Sequence, residues 1–557
     1  MDNNSFIANI EESIREHWDR PALTNYKQSP ITYREVGEKI ARLHILYSQC
    51  GIEKGDHIAI CGRNCAEWAI SFFSILTYGA VAVPLLHEFK PQNVEHLVNH
   101  ANCKILMVGD VVWEGIDADN LPEIHAIIQQ QGGNLVYCQD RKYQEAFDNL
   151  DKAFQKKYPN GFSKEDVVYQ REDPESLALI NYTSGTTSSS KGVMIPYRAL
   201  IGNLNFASRV ITNLNSSSNT ICMLPMAHMY GMAFELNFEF VCGVNIHFLT
   251  RVPSPKVIAQ AFTEIKPDII ISVPLIIEKI YKSKLKPILD KRLTKVLLKT
   301  PVIDKYLLKR IQGEMHTAFG ERFYEVIIGG AAMNKEVEAF FKKINFRYTI
   351  GYGMTECAPI ICYADWKETK LYSCGKAVAE MEVRIDSPDP ANIPGEILTR
   401  GQNVMLGYYK NEEATKEAID EEGWLHTGDL GIMDKDGYVF IKGRIKSMIL
   451  SSNGQNIYPE EIEDKINSME YVNESLVLDD NDKIVALVNL DQDKLDRDGI
   501  TREQYNEILE QIRLDSNKEL AKYEQISQII LQPEEFERTP KRSIKRYMYS
   551  HKINNSK

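Results

Sequence analysis

Short apolar runs separated by amphipathic stretches recur along most of the chain. Runs of this length, bounded by polar turns, are typical of buried strands, and the amphipathic stretches between them are typical of helices. The clearest strand-like runs cover residues 57–61, 104–108, 178–182, 268–273 and 325–328. Their alternation with helices predicts an α/β fold in which helices are layered on sheets.

The longest run without a charge, residues 68–86, has the length of a membrane-spanning helix. Serine, threonine, glycine and proline interrupt it, which is atypical of such a span. We therefore predict a buried helix that ends at Gly79 and a short strand after it. The first residues of the chain contain acids and no apolar segment, so no signal peptide is predicted.

The sequence of predicted elements changes near residue 444, which indicates a domain boundary. Before this point, residues 432–443 are typical of a hairpin around the turn sequence DKDG. After it, a helix is predicted from Pro459, because a proline in the first turn followed by two glutamates is typical of a helix start. Two strands, a long polar helix and a further strand complete a small α+β unit of ordinary domain size. The predicted domains are residues 1–444 and residues 445–557.

Composition narrows the class of protein. Of 557 residues, 43% are apolar and 25% are charged, as in ordinary globular proteins. The formal net charge of −12 argues against a nucleic acid as partner, since that affinity depends on Lys and Arg meeting phosphates. The ten cysteines form no C-x-x-C pair, and several lie in apolar segments. This usage predicts buried, reduced thiols in a cytoplasmic protein.

Residues 183–190 are rich in hydroxyl groups. Seven of the eight are Ser or Thr, the eighth is Gly185, and Lys191 follows them. Hydroxyls, backbone N–H groups and one ammonium can together surround phosphate oxygens. The segment lacks the Gly-Lys-Ser/Thr order of a Walker A loop. By itself it fits a phosphate-binding loop and a flexible linker equally well.

Two further segments contain groups that a nucleotide needs. In IGYGMTECA, Tyr352 lies between two glycines and is followed by Thr355 and Glu356. This combination offers a ring for a base, a hydroxyl for a phosphate and a carboxylate for a hard metal ion. In the predicted hairpin, Arg444 can return towards Asp429, and such a pair can bind the hydroxyls of a ribose. An ordinary glycine turn and a surface ion pair are the structural alternatives.

Two weaker signals complete the set. The segment LPMAHMYGM places His228 in an apolar stretch, where most histidines are core residues rather than catalysts. The segment RTPKRSIKR, residues 538–546, has five basic residues among nine. It fits a solvated basic tail, and it also fits a lysine that enters an active site late in the chain.

In this order and spacing, these five segments resemble the adenylate-forming superfamily, which comprises acyl-CoA synthetases, firefly luciferase and nonribosomal adenylation domains. The resemblance covers about residues 30–546, and residues 446–463 look most like the long-chain fatty acyl-CoA synthetases. It implies a large multi-layered N-terminal domain with a small β-barrel-like part, and a small, mobile C-terminal α+β domain. It also implies ATP, Mg²⁺ and coenzyme A as cofactors, and two half-reactions that proceed through an acyl-AMP.

The resemblance implies a role for each matching residue. The residues that would hold ATP are Thr183, Ser184, Gly185, Thr186, Thr187 and Lys191 at the β- and γ-phosphates, Gly329, Gly330, Ala331 and Tyr352 at the adenine, Thr355 at the α-phosphate, and Asp429 and Arg444 at the ribose. Glu356 and Thr183 would bind Mg²⁺. The remaining residues are Lys446 at the hinge, Gly454 at the CoA arm, and His228, Met229 and Gly353 at the acyl pocket. Thr355, Glu356 and His228 would act catalytically.

Two departures from the family pattern change these expectations. Serines replace the usual Gly and Pro before Lys191, but the hydroxyls and the lysine are kept. The C-terminal signature of the family has a catalytic lysine three residues before an arginine. That arginine matches Arg546, whereas Ser543 stands at the lysine position. Adenylation needs a cation near the charge that develops at the α-phosphate. Lys541 and Lys545 lie two residues to either side, and we predict that Lys541 supplies this cation.

The substrate can be predicted in part. Relatives that use acetate have a bulky Trp at the position of Gly353, so its absence predicts room for a longer chain. No acid lies between residues 225 and 234 to pair with an ammonium, which argues against an amino acid. The prediction is an ATP-dependent ligase that joins a medium- or long-chain fatty acid to CoA. The alternatives are an aryl-CoA or acyl-carrier-protein ligase, and a nucleotide-binding protein without turnover. A fatty substrate partitions into bilayers, which allows peripheral membrane contact.

Overall fold

The computed structural model describes residues 4–183, 190–250, 255–289, 291, 294, 303–450, 456–480, 483–538 and 544–549. Its largest sheet, called the central sheet below, has eight strands. In spatial order they are Gly407–Tyr408, Gly192–Pro196, Leu177–Tyr182, Val81–Leu85, His57–Cys61, Cys103–Val108, Ala126–Gln129 and Leu135–Cys138. The five strands from Leu177–Tyr182 to Ala126–Gln129 are parallel, and the flanking strands are antiparallel.

The apolar run at residues 68–86 folds as predicted. Helix Ala66–Tyr78 ends at Gly79, whose φ of 88° lies in the left-handed region that favours glycine. The strand Val81–Leu85 that follows is buried at all five positions, because it has a neighbouring strand on each side in the central sheet. In the part of the chain that the structure describes, no helix is both long and apolar enough to cross a membrane.

Two smaller sheets extend the α/β architecture. One has three parallel strands, Ile270–Ser272, Val326–Ile328 and Tyr348–Ile350. The other has four strands in the order Asn219–Cys222, Asn245–Phe248, Pro21–Asn25 and Ile31–Thr32. In the three-stranded sheet, the carboxyl ends of parallel strands meet at one edge. The residues that follow Ile328 and Ile350, which contain predicted site residues, therefore lie close together.

Helices connect many of these strands. The α-helices of eight or more residues are Phe6–Glu16, Tyr33–Gln49, Ala66–Tyr78, Pro91–His100, Arg141–Asp148, Leu150–Lys157, Tyr197–Val210, Pro255–Ile265, Ile303–Ala318, Lys335–Lys343, Pro459–Asn467 and Tyr505–Glu519. The shorter ones are Asp110–Trp113, Glu239–Val241, Pro274–Ile280, Lys286–Leu289, Glu412–Ala418 and Gln492–Arg497, and π-helical turns span Gly231–Phe238 and Tyr281–Leu285. Several of these helices, including Phe6–Glu16, Ala66–Tyr78 and Tyr197–Val210, share one large hydrophobic cluster with the central sheet, so the α/β layering that the sequence predicts is confirmed.

Antiparallel strands make up the part expected to resemble a barrel. They pair as two sheets, Tyr352–Gly353 with Ile360–Tyr363 and Lys376–Ala377, and Met381–Asp386 with Gly395–Gly401, Leu425–Met433 and Val439–Arg444. The last two strands form the predicted hairpin. Its turn lies at residues 434–437, and its register places Asp429 opposite Arg444.

The C-terminal residues form a smaller α+β part with its own core. Its strands are Ile449–Leu450, Asn456–Ile457, Val472–Asp479, Ile484–Leu490 and Ile526–Leu531, and its longer helices are Pro459–Asn467 and Tyr505–Glu519. Its hydrophobic clusters run from Ile449 to Tyr549, and among the described residues they include none from the larger part. A large N-terminal part and a smaller C-terminal part are thus confirmed, while the boundary at residue 444 stays a prediction.

All ten cysteines are free thiols, and eight of them are buried. Burial raises the pKa of the Cys50 thiol to about 11. Burial also raises the pKa of Cys357, the neighbour of Glu356, well above its ordinary value. Cys50 and Cys357 are therefore protonated at neutral pH.

Candidate active site

The first group of predicted site residues meets at the end of the hairpin. The Tyr352 hydroxyl donates a hydrogen bond to Asp429 Oδ2 over 2.7 Å, and Arg444 Nε lies 3.0 Å from Asp429 Oδ1. The hairpin register explains the ion pair, because it places Asp429 and Arg444 opposite each other. Asp429 is buried, whereas the Arg444 side chain is 74% exposed. The pair expected from the sequence is thus present.

Burial shifts the pKa values of Asp429 and Tyr352. Burial raises the pKa of the Asp429 carboxyl, and the Arg444 guanidinium opposes that shift. Burial also raises the pKa of the Tyr352 hydroxyl well above its ordinary value, so this group stays a hydrogen-bond donor. A carboxylate beside a guanidinium can accept hydrogen bonds from two vicinal hydroxyls. The group is therefore chemically suited to a ribose.

The second group brings the end of the hydroxyl-rich segment next to the predicted metal ligand. Strand Gly192–Pro196 pairs with strand Gly407–Tyr408, which brings Tyr408 close to Lys191. The Lys191 ammonium lies 4.5 Å from the centre of the Tyr408 ring. The Tyr408 hydroxyl donates to Glu356 Oε1 over 2.9 Å. Sequence reasoning did not identify Tyr408 as a site residue. The segment LGYYK, in which two tyrosines follow a glycine, was the available indication of an aromatic contact at this position.

Thr183 closes the base of the hydroxyl-rich segment. Its backbone N–H donates to Lys191 O over 2.9 Å, and its Oγ1 accepts from Lys191 N over 3.0 Å. These two bonds join the start of the segment to its end. The other predicted phosphate-binding residues, Ser184, Gly185, Thr186 and Thr187, lie outside the described residues. Their assignment stays a prediction.

The oxygen groups present fit a hard divalent cation. Glu356 is buried, and of its two carboxylate oxygens only Oε1 has a hydrogen-bond partner among the described residues. The same part of the chain contains no group of three or more His, Cys, Asp or Glu that could hold a metal. Mg²⁺ in nucleotide enzymes is usually bound by one or two carboxylates together with substrate phosphates. Glu356, with the Thr183 hydroxyl, therefore fits Mg²⁺ that is bound along with a nucleotide.

A cavity of about 50 Å³ adjoins the first group, because Tyr352 is part of its wall. Predicted site residues from three segments line it, namely His228, Gly329, Gly330, Tyr352, Gly353 and Thr355. The rest of the wall is largely apolar, and its large aromatic members are Phe206, Tyr230, Phe234 and Tyr363. Sequence reasoning missed Phe206 and Tyr363, because neither lies in a recognisable motif. Ala331 is exposed and does not line this cavity.

Tyr230 covers the glycine-rich turn. Its hydroxyl donates to Ile327 O over 3.1 Å, and a Cβ at Gly329 would come within 3.1 Å of its ring. Gly330 adopts a φ of 84°, in the left-handed region that favours glycine. Both glycines thus have local structural causes, and their contact with adenine stays a prediction. His228 is half-buried, and its Nδ1 accepts from Tyr230 N over 3.3 Å.

Two expectations about the acyl pocket change. A Cβ at Gly353 would lie 2.1 Å from Pro359 O, which already accepts a hydrogen bond from Met354 N. This backbone contact requires a glycine, so the missing side chain creates no space, and the prediction of room at Gly353 was wrong. Met229 is fully buried and is absent from the cavity wall, whereas its neighbours His228 and Tyr230 line the cavity.

The hinge and tail residues are only partly described. Lys446 is exposed in the 3₁₀ turn Ile445–Ser447, directly after Arg444. Gly454 and Lys541 lie outside the described residues. The backbone N–H of Lys545 donates to Glu537 O over 2.8 Å, and its Nζ lies 3.4 Å from Glu537 Oε2. The Lys545 ammonium is thus directed to an acid of its own segment.

Arg546 fastens the C-terminal segment to the rest of the smaller part. Its Nη2 lies 2.7 Å and 2.5 Å from the two carboxylate oxygens of Glu463, and its Nη1 donates to Val477 O over 3.1 Å. Burial raises the pKa of Glu463, and Arg546 opposes that shift. Removing one partner of a buried ion pair typically costs about 3–5 kcal/mol. Arg546 therefore has a structural role, since it fixes the segment that contains Lys545.

The helix Pro459–Asn467 also joins the smaller part to the larger one. Asp464 Oδ1 accepts from the backbone N–H of Lys335 over 3.2 Å, and Asp464 Oδ2 lies 3.6 Å from Lys335 Nζ. Next to it, Lys442 Nζ lies 3.1 Å from Glu461 Oε1. Polar contacts of this kind separate at lower cost than apolar ones. They suit a small domain that is expected to rotate.

A buried acid lies behind the cavity wall. The hydroxyl of Tyr363, a wall residue, donates to Glu325 Oε1 over 2.8 Å. Glu325 has no exposed surface, and its Oε2 has no hydrogen-bond partner among the described residues. Burial raises the pKa of Glu325 from 4.5 to about 7, and the hydrogen bond from Tyr363 only partly opposes this.

The substitution Glu325→Gln should make the folded protein less sensitive to pH. A folded pKa of about 7, above the unfolded 4.5, means that the folded state binds this proton more tightly. The parent should therefore lose stability as the pH rises from 4.5 to about 7, by at most about 3 kcal/mol from this residue. Urea unfolding of parent and variant across that window measures the difference. Parallel pH profiles of the free energy of unfolding would contradict the prediction.

Comparison with known proteins gives the family. Residues 10–409 match the AMP-binding enzymes, and residues 446–555 match the AMP-binding enzyme C-terminal domain. The chain therefore belongs to the family of AMP-binding enzymes. The resemblance to adenylate-forming enzymes that the motifs indicate is confirmed. The two matches leave residues 410–445 between them, which include the predicted boundary at 444.

Individual relatives are distant. The chain is 26% identical over 513 residues to a long-chain-fatty-acid–CoA ligase of Gallus gallus, a match that covers 86% of this chain and 66% of that protein. It is 29% identical over 473 residues to 4-coumarate–CoA ligase 1 of Oryza sativa subsp. japonica, covering 81% and 76%. The crystal structure of ATP-bound MatB from Rhodopseudomonas palustris has a TM-score of 0.75 at 22% identity, covering 98% of this chain and 99% of that chain. This last likeness shows the fold.

Proposed function

We propose that this protein is an ATP-dependent acid–thiol ligase, which activates a carboxylic acid as an acyl-AMP and transfers the acyl group to the thiol of coenzyme A. The observation that carries the proposal is the contact of Asp429 with both Tyr352 and Arg444, beside a cavity that Tyr352, Thr355 and His228 line. Groups suited to a ribose, a phosphate and an acyl chain thus surround one space. Membership of the AMP-binding enzyme family and the names of two distant relatives support the same reaction.

The first half-reaction is attack by a carboxylate oxygen on the α-phosphorus of ATP. The bond from this phosphorus to the oxygen that bridges to the β-phosphate breaks, and pyrophosphate leaves with the bonding electrons. A free carboxylate is a poor acyl donor, so the step equips the acyl carbon with a good leaving group, AMP. We assign Lys191 to the β- and γ-phosphates, Thr355 to the α-phosphate, and Asp429 with Arg444 to the ribose.

Cations near the phosphates are the main requirement of this step. Mg²⁺ held by Glu356 and Thr183 would neutralise part of the phosphate charge when ATP is bound. We assign the further cation at the α-phosphate to Lys541 rather than Lys545, because the Lys545 ammonium lies 3.4 Å from Glu537. Arg538 and Ile544, which flank Lys541 in the sequence, pair as an antiparallel bridge.

The second half-reaction is attack by the sulfur of CoA on the acyl carbonyl carbon. The bond from this carbon to the phosphate oxygen breaks, AMP leaves with the bonding electrons, and the thiol proton passes to solvent. We assign His228 to the junction between the acyl chain and the incoming CoA arm, and Gly454 to contact with that arm. Rotation of residues 445–557 about Lys446 would let one site serve the two steps in succession.

We infer that the acid is a medium- or long-chain fatty acid. The relative named as a long-chain-fatty-acid–CoA ligase and the apolar wall of the cavity support this substrate. A volume of about 50 Å³ is far below the roughly 300–1,000 Å³ of typical ligand pockets, so a fatty chain requires the wall to open. The side chains of Phe206, Phe234 and Tyr363 are the bulky groups that would have to move.

An aromatic acid is the second candidate. The 29% identity to a 4-coumarate–CoA ligase favours it. So do the edge-to-face contacts in the cavity wall, with ring centres 6.0 Å apart for Phe206 and Phe234 and 5.2 Å apart for Phe206 and Tyr363. An aromatic substrate can extend such a cluster through further edge-to-face contacts.

A panel of acids tests the proposal. With ATP, Mg²⁺ and CoA, the purified protein should release AMP and form thioesters with straight-chain acids from octanoic to octadecanoic. A higher kcat/KM for 4-coumarate would instead favour the aromatic candidate, and a carrier-protein phosphopantetheine in place of CoA distinguishes the two acceptors. ATP binding without AMP release for any of these acids would contradict the ligase proposal and favour a nucleotide-binding protein without turnover.

A further inference from the structure

Tyr408 contacts two residues that the proposed function assigns to MgATP. Its ring faces the Lys191 ammonium at 4.5 Å, and its hydroxyl donates to Glu356 Oε1 over 2.9 Å. We propose that Tyr408 is a positioning residue that sets the metal-binding carboxylate and the phosphate-binding lysine relative to each other before the nucleotide arrives. This inference rests on the proposed function for the roles of Lys191 and Glu356.

The backbone of Tyr408 is fixed from two sides. In the antiparallel pair, Tyr408 lies opposite Val193, and the N–H of the following residue, Tyr409, donates to Gly192 O over 2.7 Å. The N–H of Tyr408 itself donates to Thr415 Oγ1 over 2.9 Å. The Tyr408 ring is therefore held at the edge of the central sheet, next to the point where the hydroxyl-rich segment ends.

The hydroxyl of Tyr408 selects one orientation of the carboxylate. The Tyr408 hydroxyl donates a hydrogen bond to Glu356 over 2.9 Å. Oε1 of Glu356 accepts this bond, and Oε2 has no hydrogen-bond partner among the described residues. A carboxylate held by one oxygen offers the other to a ligand. Hydrogen bonds of this kind orient metal ligands and affect metal affinity.

The ring of Tyr408 keeps the lysine available. A flexible lysine near a buried carboxylate would ordinarily form an ion pair with it, and each charge would then satisfy the other. Lys191 and Glu356, both among the described residues, form no such pair; instead the ammonium lies over the ring. A cation–π contact attracts the ammonium without using a negative charge. Lys191 and Glu356 thus both remain available for the nucleotide and its metal.

Three variants separate these contributions. Tyr408→Phe keeps the ring under Lys191 and removes the hydroxyl from Glu356, whereas Tyr408→Leu removes both contacts. Tyr409→Phe is the matched control, because its ring contacts His57 and His100 and its hydroxyl has no hydrogen-bond partner in the described part of the chain. Thermal unfolding of each variant is measured first, and binding is then compared at a temperature at which all the variants are folded.

Binding of Mn²⁺ in the presence of a non-hydrolysable ATP analogue, followed by electron paramagnetic resonance, is the decisive measurement. Tyr408→Phe should raise the dissociation constant for Mn²⁺ roughly tenfold, and Tyr409→Phe should leave it unchanged. Without metal, affinity for the analogue should fall for Tyr408→Leu and stay near the parent value for Tyr408→Phe. In a Glu356→Gln background, loss of the Tyr408 hydroxyl should have no further effect on Mn²⁺ binding.

The outcomes distinguish the two proposals. If the parent binds neither the analogue nor Mn²⁺, the proposed function fails and this inference fails with it. If the parent binds both, and Tyr408→Phe and Tyr409→Phe have equal affinities for Mn²⁺, the positioning role is overturned while the proposed function stands. A Tyr408→Phe effect of the same size in the Glu356→Gln background would also overturn it, because the hydroxyl would then not act through the carboxylate.

Discussion

Replacing Lys541 with alanine should lower the rate of acyl-AMP formation about a hundred- to a thousandfold, the usual effect of removing one group that stabilises transition-state charge. The lysine position of the family signature is occupied by Ser543, so the cation at the α-phosphate has to come from a neighbour. Lys545 pairs with Glu537, which leaves Lys541 as the candidate. ATP–pyrophosphate exchange with a saturating fatty acid measures this half-reaction directly.

Lys545→Ala is the matched control for this experiment, and its exchange rate should stay near that of the parent. Transfer from a synthetic acyl-AMP to CoA should also survive in Lys541→Ala, because that step needs no cation on a transferring phosphate. If Lys545→Ala shows the large loss and Lys541→Ala does not, the assignment is reversed. Equal exchange rates in the parent and both variants would show that neither lysine acts in adenylation.

Replacing Asp429 with alanine should raise the KM for ATP about ten- to a hundredfold with a smaller change in kcat. Hydrogen bonds to a charged group contribute about 1.5–3 kcal/mol, which corresponds to this range. The change also leaves the Tyr352 hydroxyl and the Arg444 guanidinium without their shared partner. Steady-state kinetics with ATP and with 3′-deoxy-ATP measure the change in KM. The parent should prefer ATP, and the variant should discriminate much less between the two.

Asp436→Ala supplies the control, because it removes a carboxylate from the turn of the same hairpin. Its partner is Lys370 at 2.6 Å, and both side chains are partly exposed, so little free energy depends on this pair. The KM of this control should equal that of the parent. If Asp429→Ala retains the full preference for ATP over 3′-deoxy-ATP, Asp429 does not contact the ribose.

Local patterns predicted the framework of the fold well. The helix that ends at Gly79, the hairpin around residues 434–437 and the helix from Pro459 all follow from short-range rules about glycine, turn residues and helix starts. The contact between Asp429 and Arg444 was predictable for the same reason, since a hairpin register is set by its own turn. The order of strands in the central sheet was not predictable, because it depends on pairing between distant segments.

The candidate site was predictable only where its residues lie in motifs. Tyr408 and Tyr363 became visible through strand pairing and packing, which no local pattern encodes. Gly353 shows the reverse case. A missing side chain suggested space, but the space was already occupied by the backbone at Pro359. Whether a small residue opens a pocket or accommodates a close chain depends on its neighbours in three dimensions.

The buried cysteines have a chemical consequence for a ligase of this kind. An acyl-AMP is an acylating agent that any accessible thiolate would attack, and the intended acceptor is itself a thiol. Cys357 directly follows Glu356, yet it has no exposed surface and burial raises its pKa well above the ordinary value. A protonated, enclosed thiol is a poor nucleophile. Cys357 is thereby protected from acylation by an acyl-AMP, so the selectivity of the reaction for the acceptor thiol depends in part on the burial of this neighbouring cysteine.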